Sequence, residues 1–296
     1  MSGGIERTGT RSWTQKLAKV FAKDRSPSIA PTVLPITVAV TANLPAPGSL
    51  HFRCNICGDQ SLALISELGR ETASCGSCLS TVRMRSMVHV LSQELFGECL
   101  ALPDFTVRPD LIGIGMSDWD TYAIPLAHKL AYTNTFLDKE PGLDISNVPE
   151  EMVGTLDFIL SSDVFEHVQP PIAKAFENVS RLLKPDGVFV FCVPYCKAPE
   201  TVEHYPELHD WHIEQRDGRY VLNNRTADGR TQLFEDPELH GGEGQTLEMR
   251  RFSEIGIRRE CAAAGLSVRI HDDVCFEHGI YWDKDWGITM ALRHLR

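Results

Sequence analysis

The chain has 296 residues, of which 43% are hydrophobic and 23% charged, and its formal net charge is −11 at pH 7. This length allows one large domain with attachments or two domains, and the acidic balance argues against broad binding to phosphate backbones, so no nucleic-acid partner is predicted. No apolar run reaches the roughly 18–20 residues that span a membrane, and the N-terminal residues lack the apolar region of a signal peptide. We therefore predict a cytoplasmic protein whose nine cysteines are metal ligands or buried thiols rather than disulfides.

Residues 1–48 are predicted to form a disordered or linking tail. Five prolines lie between Ser26 and Ser49, and clustered prolines are typical of a linker. Residues 12–23 alone have the pattern of a basic amphipathic helix. Such a helix can lie on a membrane surface or dock on a partner, and it can equally pack on its own protein. Peripheral membrane contact through residues 12–23 is thus one of two open interpretations.

Residues 49–83 are predicted to form a zinc ribbon. They carry two CxxC pairs with 17 residues between them, Cys54 with Cys57 and Cys75 with Cys78. A CxxC turn can direct two thiolates at one ion, and two such turns complete a tetrahedral zinc site. Because four thiolates leave no open position on the metal, the predicted role of the zinc is structural. The alternative is four unrelated thiols or two redox pairs.

Residues 84–296 are predicted to form an α/β domain with a doubly wound sheet. A helix over residues 84–96 leads to an apolar strand that ends in Gly113-x-Gly115, followed by a polar turn and another helix. Glycines let the backbone approach a ligand, and a helix N-terminus offers free N–H groups. This arrangement indicates a cofactor-binding turn, although a GxG pair also occurs in ordinary turns.

Two polar residues follow this turn at positions that suit a nucleotide. Asn134 lies at the end of the next predicted strand, where nucleotide-binding sheets place a ribose-contacting side chain. Asp144 lies in the loop that follows. Its carboxylate can accept a hydrogen bond from an exocyclic amine, or it can simply cap a turn.

Residues 155–196 have the pattern of a strand, a polar turn, a helix and a second strand. The second apolar run is continuous, as expected of a strand that is buried on both faces. In doubly wound sheets the chemistry lies beyond the carboxyl ends of the strands. This rule places Ser162, Asp163, Glu166 and His167 at one edge of the predicted site and Pro194, Tyr195 and Cys196 at the next.

Residues 197–250 interrupt the sheet pattern and are rich in histidine and acidic residues. Alternating polar and apolar residues in their middle predict a small hairpin. Three glycines around His240 and Glu243 leave room for a close approach, so we predict a substrate loop with these two side chains as polar contacts. His204 is a further candidate, but the spacing of the histidines supports no metal geometry. After this insertion, residues 254–264 are predicted to be helical and two strands follow.

The order of these features resembles class I S-adenosylmethionine-dependent methyltransferases of the small-molecule type 11 kind. The resemblance is carried by LDFILSSDVFEHV (156–168) and RLLKPDGVFVFCVPY (181–195), behind the GxG turn. Residues 49–83, which carry the two CxxC pairs and are called the cysteine segment below, are similar to zinc ribbons found ahead of some bacterial methyltransferases linked to polysaccharide or glycan biosynthesis. The resemblance covers roughly residues 50–296. It implies a seven-stranded Rossmann-like sheet, with the last strand inserted antiparallel, after the small zinc ribbon.

The resemblance also implies a cofactor, an acceptor and roles for individual residues. S-adenosylmethionine would donate the methyl group, and the acceptor would be a hydroxyl of a saccharide or other polar small molecule. The cofactor-binding residues would be Gly113, Gly115, Ser117, Asn134, Asp144, Ser162 and Asp163. The catalytic candidates are His167, as a general base near neutral pKa, and His240. The candidates for substrate binding are Tyr195, His204 and Glu243.

Two positions depart from the family pattern. Leu111 lies where the family usually has an acidic residue, and Ser117 lies where it has a third glycine. Two other interpretations therefore stay open. The chain can be a methyltransferase that docks a macromolecule through its zinc ribbon, or an interaction protein whose degenerate Rossmann domain binds no cofactor. The sequence indicates no oligomeric state.

Overall fold

The computed structural model describes residues 48–240 and 246–296. The predicted tail, including residues 12–23, lies outside the described residues, and so does Glu243 of the predicted substrate loop. The helices in the described part are α1 (Val82–Phe96), α2 (Asp120–Ala127), α3 (Ala173–Leu182) and α4 (Glu254–Ala263). The strands are β1 (Ser49–Arg53), β2 (Gln60–Leu64), β3 (Arg108–Met116), β4 (Leu130–Thr135), β5 (Leu156–Ser162), β6 (Leu183–Cys192), β7 (Tyr195–Cys196), β8 (Val202–Glu203), β9 (Asp210–Arg216), β10 (Arg219–Arg225), β11 (Thr231–Glu235), β12 (Leu239–His240), β13 (Thr246–Leu247), β14 (Arg250–Ser253), β15 (Leu266–Ile270) and β16 (Met290–His294).

The main sheet is mixed, with the order β15-β16-β6-β5-β3-β4. Strands β4, β3, β5 and β6 pair in parallel, whereas β16 pairs antiparallel with both β6 and β15. The predicted α/β class and the antiparallel last strand are thus confirmed. Carboxyl ends of the four parallel strands share one edge, which is where a site is expected in such a sheet.

The main sheet has six strands among the described residues, one fewer than the seven predicted. Residues 136–155, which were predicted to contain a loop, form an isolated bridge between Phe136 and Gly142, turns and a short 3-10 helix at Glu150–Met152. Pro141 and Pro149 lie in this stretch. Proline provides no N–H for a sheet ladder and is restricted to few positions in regular structure, which accounts for the irregular path.

The cysteine segment shares its hydrophobic core with the main domain. Phe52 and Ile56 belong to the same buried cluster as residues of α1, β5 and β6. At Gly279, a Cβ would lie 2.6 Å from the Phe52 ring, so only glycine admits that ring. Helix α1 begins at Thr81, whose hydroxyl accepts a hydrogen bond from the Met84 N–H at 3.4 Å. The segment is therefore packed against the main domain over a continuous apolar interface.

The insertion folds as a three-stranded antiparallel sheet, in the order β11-β10-β9, with a small core of its own. The predicted hairpin is therefore one part of this sheet. Gln169 links the sheet to the main domain, since its amide donates to the carbonyl oxygens of Leu208 at 3.4 Å and His209 at 3.2 Å. In the described part of the chain, helices with the length and apolar character needed to cross a membrane are absent.

Candidate active site

The two glycines of the GxG pair lie inside β3 rather than in the turn after it. A Cβ on Gly113 would lie 2.3 Å from the Phe158 ring, and a Cβ on Gly115 would lie 2.0 Å from the Tyr132 hydroxyl and 2.2 Å from Asp118 Oδ2. All three distances are far inside van der Waals contact. The glycines therefore admit buried side chains of neighbouring strands at the floor of the site.

The turn that follows β3 is fixed by a buried carboxylate. Asp118 is fully buried and accepts hydrogen bonds from the hydroxyls of Tyr122 at 2.7 Å and Tyr132 at 2.6 Å. Burial raises the pKa of the Asp118 carboxyl to about 6, while the two hydroxyls oppose this rise. Asn134 clamps the same turn, because its side chain accepts from the Asp118 N–H at 2.9 Å and donates to the Asp118 carbonyl at 2.8 Å. Ser117 adopts a left-handed φ of 55°.

A cavity of about 500 Å³ opens beyond the ends of β3 and β4. This volume is within the roughly 300–1,000 Å³ of small-molecule sites. Ser117 and Asp144 supply polar groups to this half of its lining. The Asp144 carboxylate also accepts a hydrogen bond from the Ser146 N–H at 2.8 Å, which holds the loop in place. The rest of this wall is mostly apolar: Met116, Thr135, Phe136, Leu137, Leu143 and Ile145.

The opposite half of the cavity is formed by the turn after β5 and by the insertion. His167, Gln169 and Lys174 line it from the main domain, and Trp211 lines it from β9. The segment from Thr246 to Met249 completes this wall. One cavity therefore connects the edge of the parallel sheet to the inserted sheet.

His167 has a neighbour on each ring nitrogen. Its Nδ1 lies 2.9 Å from the carbonyl oxygen of Leu247, and its Nε2 lies 3.9 Å from Glu166 Oε1. Burial lowers the pKa of His167. A carbonyl oxygen can only accept, so the Nδ1 carries the proton and the Nε2 presents a lone pair.

Glu166 is buried at the back of this wall, with 1% of its surface exposed. Burial raises its pKa to about 8, and the charge of Asp163 adds to the rise. The turn that carries Glu166 and His167 is anchored from behind by Arg250, which has no exposed surface and donates to the carbonyls of Phe165 at 2.7 Å and Val168 at 2.6 Å. The position of both side chains is thus fixed by a buried cation.

Ser162 and Asp163 contact arginines of the cysteine segment. Arg70 donates to both Asp163 oxygens, at 3.1 and 2.6 Å, and to the Gly287 carbonyl at 3.0 Å. Arg83 donates to the Ser162 hydroxyl at 2.7 Å. Bidentate arginine–carboxylate pairs are among the stronger hydrogen-bonded contacts in proteins. The cysteine segment therefore reaches the carboxyl edge of the sheet.

The four cysteines of the CxxC pairs converge. The Sγ atoms of Cys54 and Cys78 are 3.7 Å apart, and so are those of Cys57 and Cys75. Four thiolates around zinc at about 2.3 Å would lie about 3.8 Å from one another in a tetrahedron. All four sulfurs lie within 4.8 Å of one another. Two of the six sulfur separations thus match a tetrahedral metal site, and the other four lie within about an ångström of it.

The structure brings only some of the predicted site residues together. Ser117, Asp144 and His167 line the cavity, and His240 packs edge-on against His167 with ring centroids 5.0 Å apart. The other predicted residues that the structure describes are absent from the cavity lining: Gly113, Gly115, Asn134, Ser162, Asp163, Tyr195 and His204. Tyr195 is buried, and His204 pairs with Glu248 at 3.3 Å.

Several contributors to the site were missing from the prediction. Glu166 was expected at this edge of the site beside His167, but no role was predicted for it. Trp211 lay in the predicted insertion. Arg70, Arg83 and Arg250 gave no signal in the sequence, because their partners are far away along the chain.

Residues 99–237, just under half of the chain, match a family model described as a methyltransferase domain. No curated protein sequence matches the chain. Among solved structures, the chain is similar to an S-adenosylmethionine-dependent methyltransferase from Clostridium acetobutylicum, with 17% identity over 69% of this chain and 90% of that one and a TM-score of 0.40. It is also similar to an S-adenosylmethionine-dependent methyltransferase from Mesorhizobium loti, with 14% identity over 64% of this chain and 92% of that one and a TM-score of 0.38. A third similar structure is a sugar N-methyltransferase from a Streptoalloteichus species (13% identity, 70% and 84% coverage, TM-score 0.38).

Proposed function

We propose that this S-adenosylmethionine-dependent methyltransferase transfers the methyl group to a hydroxyl of a saccharide or other polar small molecule. The observation that carries the proposal is the single cavity of about 500 Å³ that joins the ends of β3 and β4 to the inserted sheet. One half is suited to a nucleoside and the other to an acceptor. A methyl transfer needs both ligands in one water-poor space.

The half beside β3 and β4 is the proposed cofactor site. Asp144 can accept a hydrogen bond from the exocyclic amine of an adenine, while the apolar side chains around it cover the ring faces. Ser117, in its left-handed conformation, places its side chain and peptide at the same wall. When bound, S-adenosylmethionine supplies a methyl group that is already electrophilic.

The half beside the insertion is the proposed acceptor site. Trp211 offers an aromatic face of the kind on which sugar rings pack, and Gln169 and Lys174 offer polar groups beside it. The bonds from Gln169 to the Leu208 and His209 carbonyls hold the inserted sheet against the main domain. These residues therefore bind and orient an acceptor rather than activate it.

His167 is the proposed proton acceptor. Its Nε2 presents a lone pair, and burial keeps the ring neutral near pH 7 by lowering its pKa. A neutral imidazole can take the proton of a hydroxyl as the oxygen bonds to the methyl carbon. His167→Ala is expected to depress methyl transfer while leaving the affinity for S-adenosylhomocysteine unchanged. Unchanged turnover would exclude this role.

Calorimetric titration with S-adenosylhomocysteine tests the cofactor site. Asp144→Ala is expected to weaken binding about tenfold, which corresponds to about 1.4 kcal/mol. Asp138→Ala, an equivalent change at an exposed position outside the cavity lining, is the matched control. Absence of binding by the folded parent protein at millimolar ligand would refute the proposed function.

The acceptor class is tested separately. The protein is incubated with labelled S-adenosylmethionine and fractionated host extract, and label is followed into saccharide, other small-molecule, protein and nucleic-acid fractions. Label in the saccharide or other polar small-molecule fraction is expected. Label in protein or nucleic acid alone would refute the small-molecule acceptor and favour a macromolecular one.

We also propose that Cys54, Cys57, Cys75 and Cys78 hold a structural zinc ion. The sulfur separations of 3.7 Å support it, as do the hydroxyls of Ser61 and Ser80, which lie 3.2 Å from Cys75 Sγ and 3.3 Å from Cys54 Sγ. Cobalt bound to thiolates gives an intense charge-transfer absorption, which a Cys54→Ser/Cys75→Ser variant is expected to lose. Retention of that absorption in the variant would refute the assignment.

A further inference from the structure

Two imidazole rings and a buried carboxylate meet beside the cavity. Glu166 Oε1 lies 3.9 Å from the Nε2 of His167 and 3.9 Å from the Nδ1 of His240. Both distances are too long for a hydrogen bond. Among the described residues, neither oxygen of Glu166 has a hydrogen-bond partner, although the residue is 1% exposed. A buried carboxylate without partners is costly unless a cation or a proton joins it.

Each ring has an inner nitrogen that faces Glu166 and an outer nitrogen that faces away from it. The partner of the outer nitrogen shows where the ring proton lies. His167 Nδ1 lies against the Leu247 carbonyl, which can only accept, so this nitrogen carries the proton. His240 Nε2 is paired with the Glu248 carboxylate, so the proton of that ring lies there. The inner nitrogen of each ring is therefore the one that presents a lone pair when that ring carries a single proton. Three electron-rich atoms converge with no donor between them.

We propose that Glu166, His167 and His240 bind a divalent transition-metal ion, with zinc as the expected occupant. Two imidazoles and one carboxylate are a common donor set for such ions. The three donor atoms lie within 4.8 Å of one another. Zinc at about 2.1 Å from each donor would bring them to about 3.4 Å separation in a tetrahedron, so Glu166 has to approach each ring by roughly half an ångström.

The surroundings of the cluster are those of a metal site. Metal-ligating histidines usually donate their other N–H to a carboxylate or a backbone carbonyl, which orients the ring. Glu248 does this for His240, and it also contacts His204 at 3.3 Å. Met249, the next residue, donates its N–H to the Glu166 carbonyl at 2.8 Å. The segment that supports the rings thus also holds the backbone of the carboxylate ligand.

Three protein ligands leave a position open on the ion, unlike the four cysteines. His167 belongs to the cavity lining, so an oxygen of a bound acceptor can take this position. That consequence rests on the proposed function, but the binding of the ion does not. In protein that holds the ion, the Nε2 of His167 would be a ligand and not a proton acceptor; coordination would lower the pKa of the acceptor hydroxyl, and its proton would leave to solvent. The role of His167 as proton acceptor then applies only to protein without this ion.

Metal analysis of the full chain tests the proposal. Protein purified in the presence of zinc is expected to hold about two zinc ions per chain, one in the cysteine site and one in this cluster. Glu166→Gln and His240→Gln are each expected to lose about one. His212→Gln, a histidine at an exposed position of β9, is the matched control and is expected to keep both.

Cobalt spectra distinguish the two metal sites. In the parent protein, a second equivalent of cobalt is expected to add ligand-field absorption but no thiolate charge-transfer band. In the two variants, the second equivalent is expected to add neither. His240 is 40% exposed on its side chain, so its variant remains informative if the buried Glu166→Gln fails to fold. One zinc per parent chain, which would mean that a proton alone neutralises Glu166, would overturn the proposal. Unchanged zinc and cobalt binding in a folded His240→Gln variant would overturn it too. These results do not depend on methyl transfer or on S-adenosylhomocysteine binding.

Discussion

Replacement of Asp118 by asparagine is expected to change how the stability of the protein depends on pH. The carboxyl is fully buried, and burial raises its pKa from 3.8 to about 6. Between these two values the folded state binds more protons than the unfolded state. The free energy of unfolding therefore falls as the pH rises from about 4 to about 6. Above pH 6 the destabilisation caused by the ionised Asp118 carboxylate is constant.

The size of this effect follows from the two pKa values. A difference of about two units corresponds to about 3 kcal/mol, at about 1.4 kcal/mol per unit. The asparagine side chain has no ionisable group, and it keeps an acceptor oxygen for one of the two tyrosine hydroxyls that bond to Asp118 in the parent. Relative to the parent, the Asp118→Asn variant is therefore expected to gain about 3 kcal/mol of stability between pH 4 and pH 7.

Urea unfolding of parent and variant at several pH values between 4 and 7 measures this difference. Other groups that titrate in this range are common to both proteins and cancel in the comparison. Asp120→Asn makes the same chemical change at an exposed position two residues away and is the matched control. A difference between parent and Asp118→Asn that stays constant within about 0.5 kcal/mol would refute the reasoning.

Three other substitutions test different parts of the fold and site. Gly113→Ala places a methyl group 2.3 Å from the Phe158 ring and is expected to cost about 1–3 kcal/mol of unfolding free energy; a urea midpoint equal to that of the parent would contradict the packing role. Arg70→Met removes the bidentate partner of the Asp163 carboxylate, which is 23% exposed and keeps Arg83 at 3.1 Å, so we expect a cost of about 1.5–3 kcal/mol, the range of a hydrogen bond to a charged group. The same unfolding assay measures it, and a loss below about 1 kcal/mol, the range of an exposed pair, would show that the contact is dispensable. Trp211→Ala is expected to raise the KM for the acceptor about tenfold and to leave the affinity for S-adenosylhomocysteine unchanged. An equally large loss of affinity for S-adenosylhomocysteine would instead place Trp211 in the cofactor half of the cavity.

Local sequence patterns were sufficient to predict the central unit of the fold. The strands at Leu156–Ser162 and Leu183–Cys192 and the helix between them lie where the apolar runs and the helical spacing put them. Burial on both faces of a parallel strand requires a continuous apolar run, and that requirement is visible in the sequence. The CxxC pairs were informative for a similar reason, since their short spacing alone brings the sulfurs of each pair close together.

Contacts between distant segments were not predictable in the same way. His167 meets the Leu247 carbonyl 80 positions along the chain, and Arg70 meets Asp163 93 positions away. Nothing in the residues on either side of these pairs specifies the partner, because each pair forms only when the whole sheet has assembled. The meeting of Glu166, His167 and His240 was therefore hidden, although each of the three was individually placed at the predicted site.

The link between the cysteine segment and the sheet edge has a consequence for how this protein can be dissected. Arg70 bonds to the Gly287 carbonyl, 217 positions away, and Phe52 fills the space beside Gly279. A fragment that starts at α1 would lose both contacts and expose the apolar surface that they cover, so we expect it to aggregate. With zinc bound as proposed, the supply of zinc in the cell would then limit how many copies of the chain fold, because the segment that holds the metal also bonds to Asp163 at the carboxyl edge of the sheet.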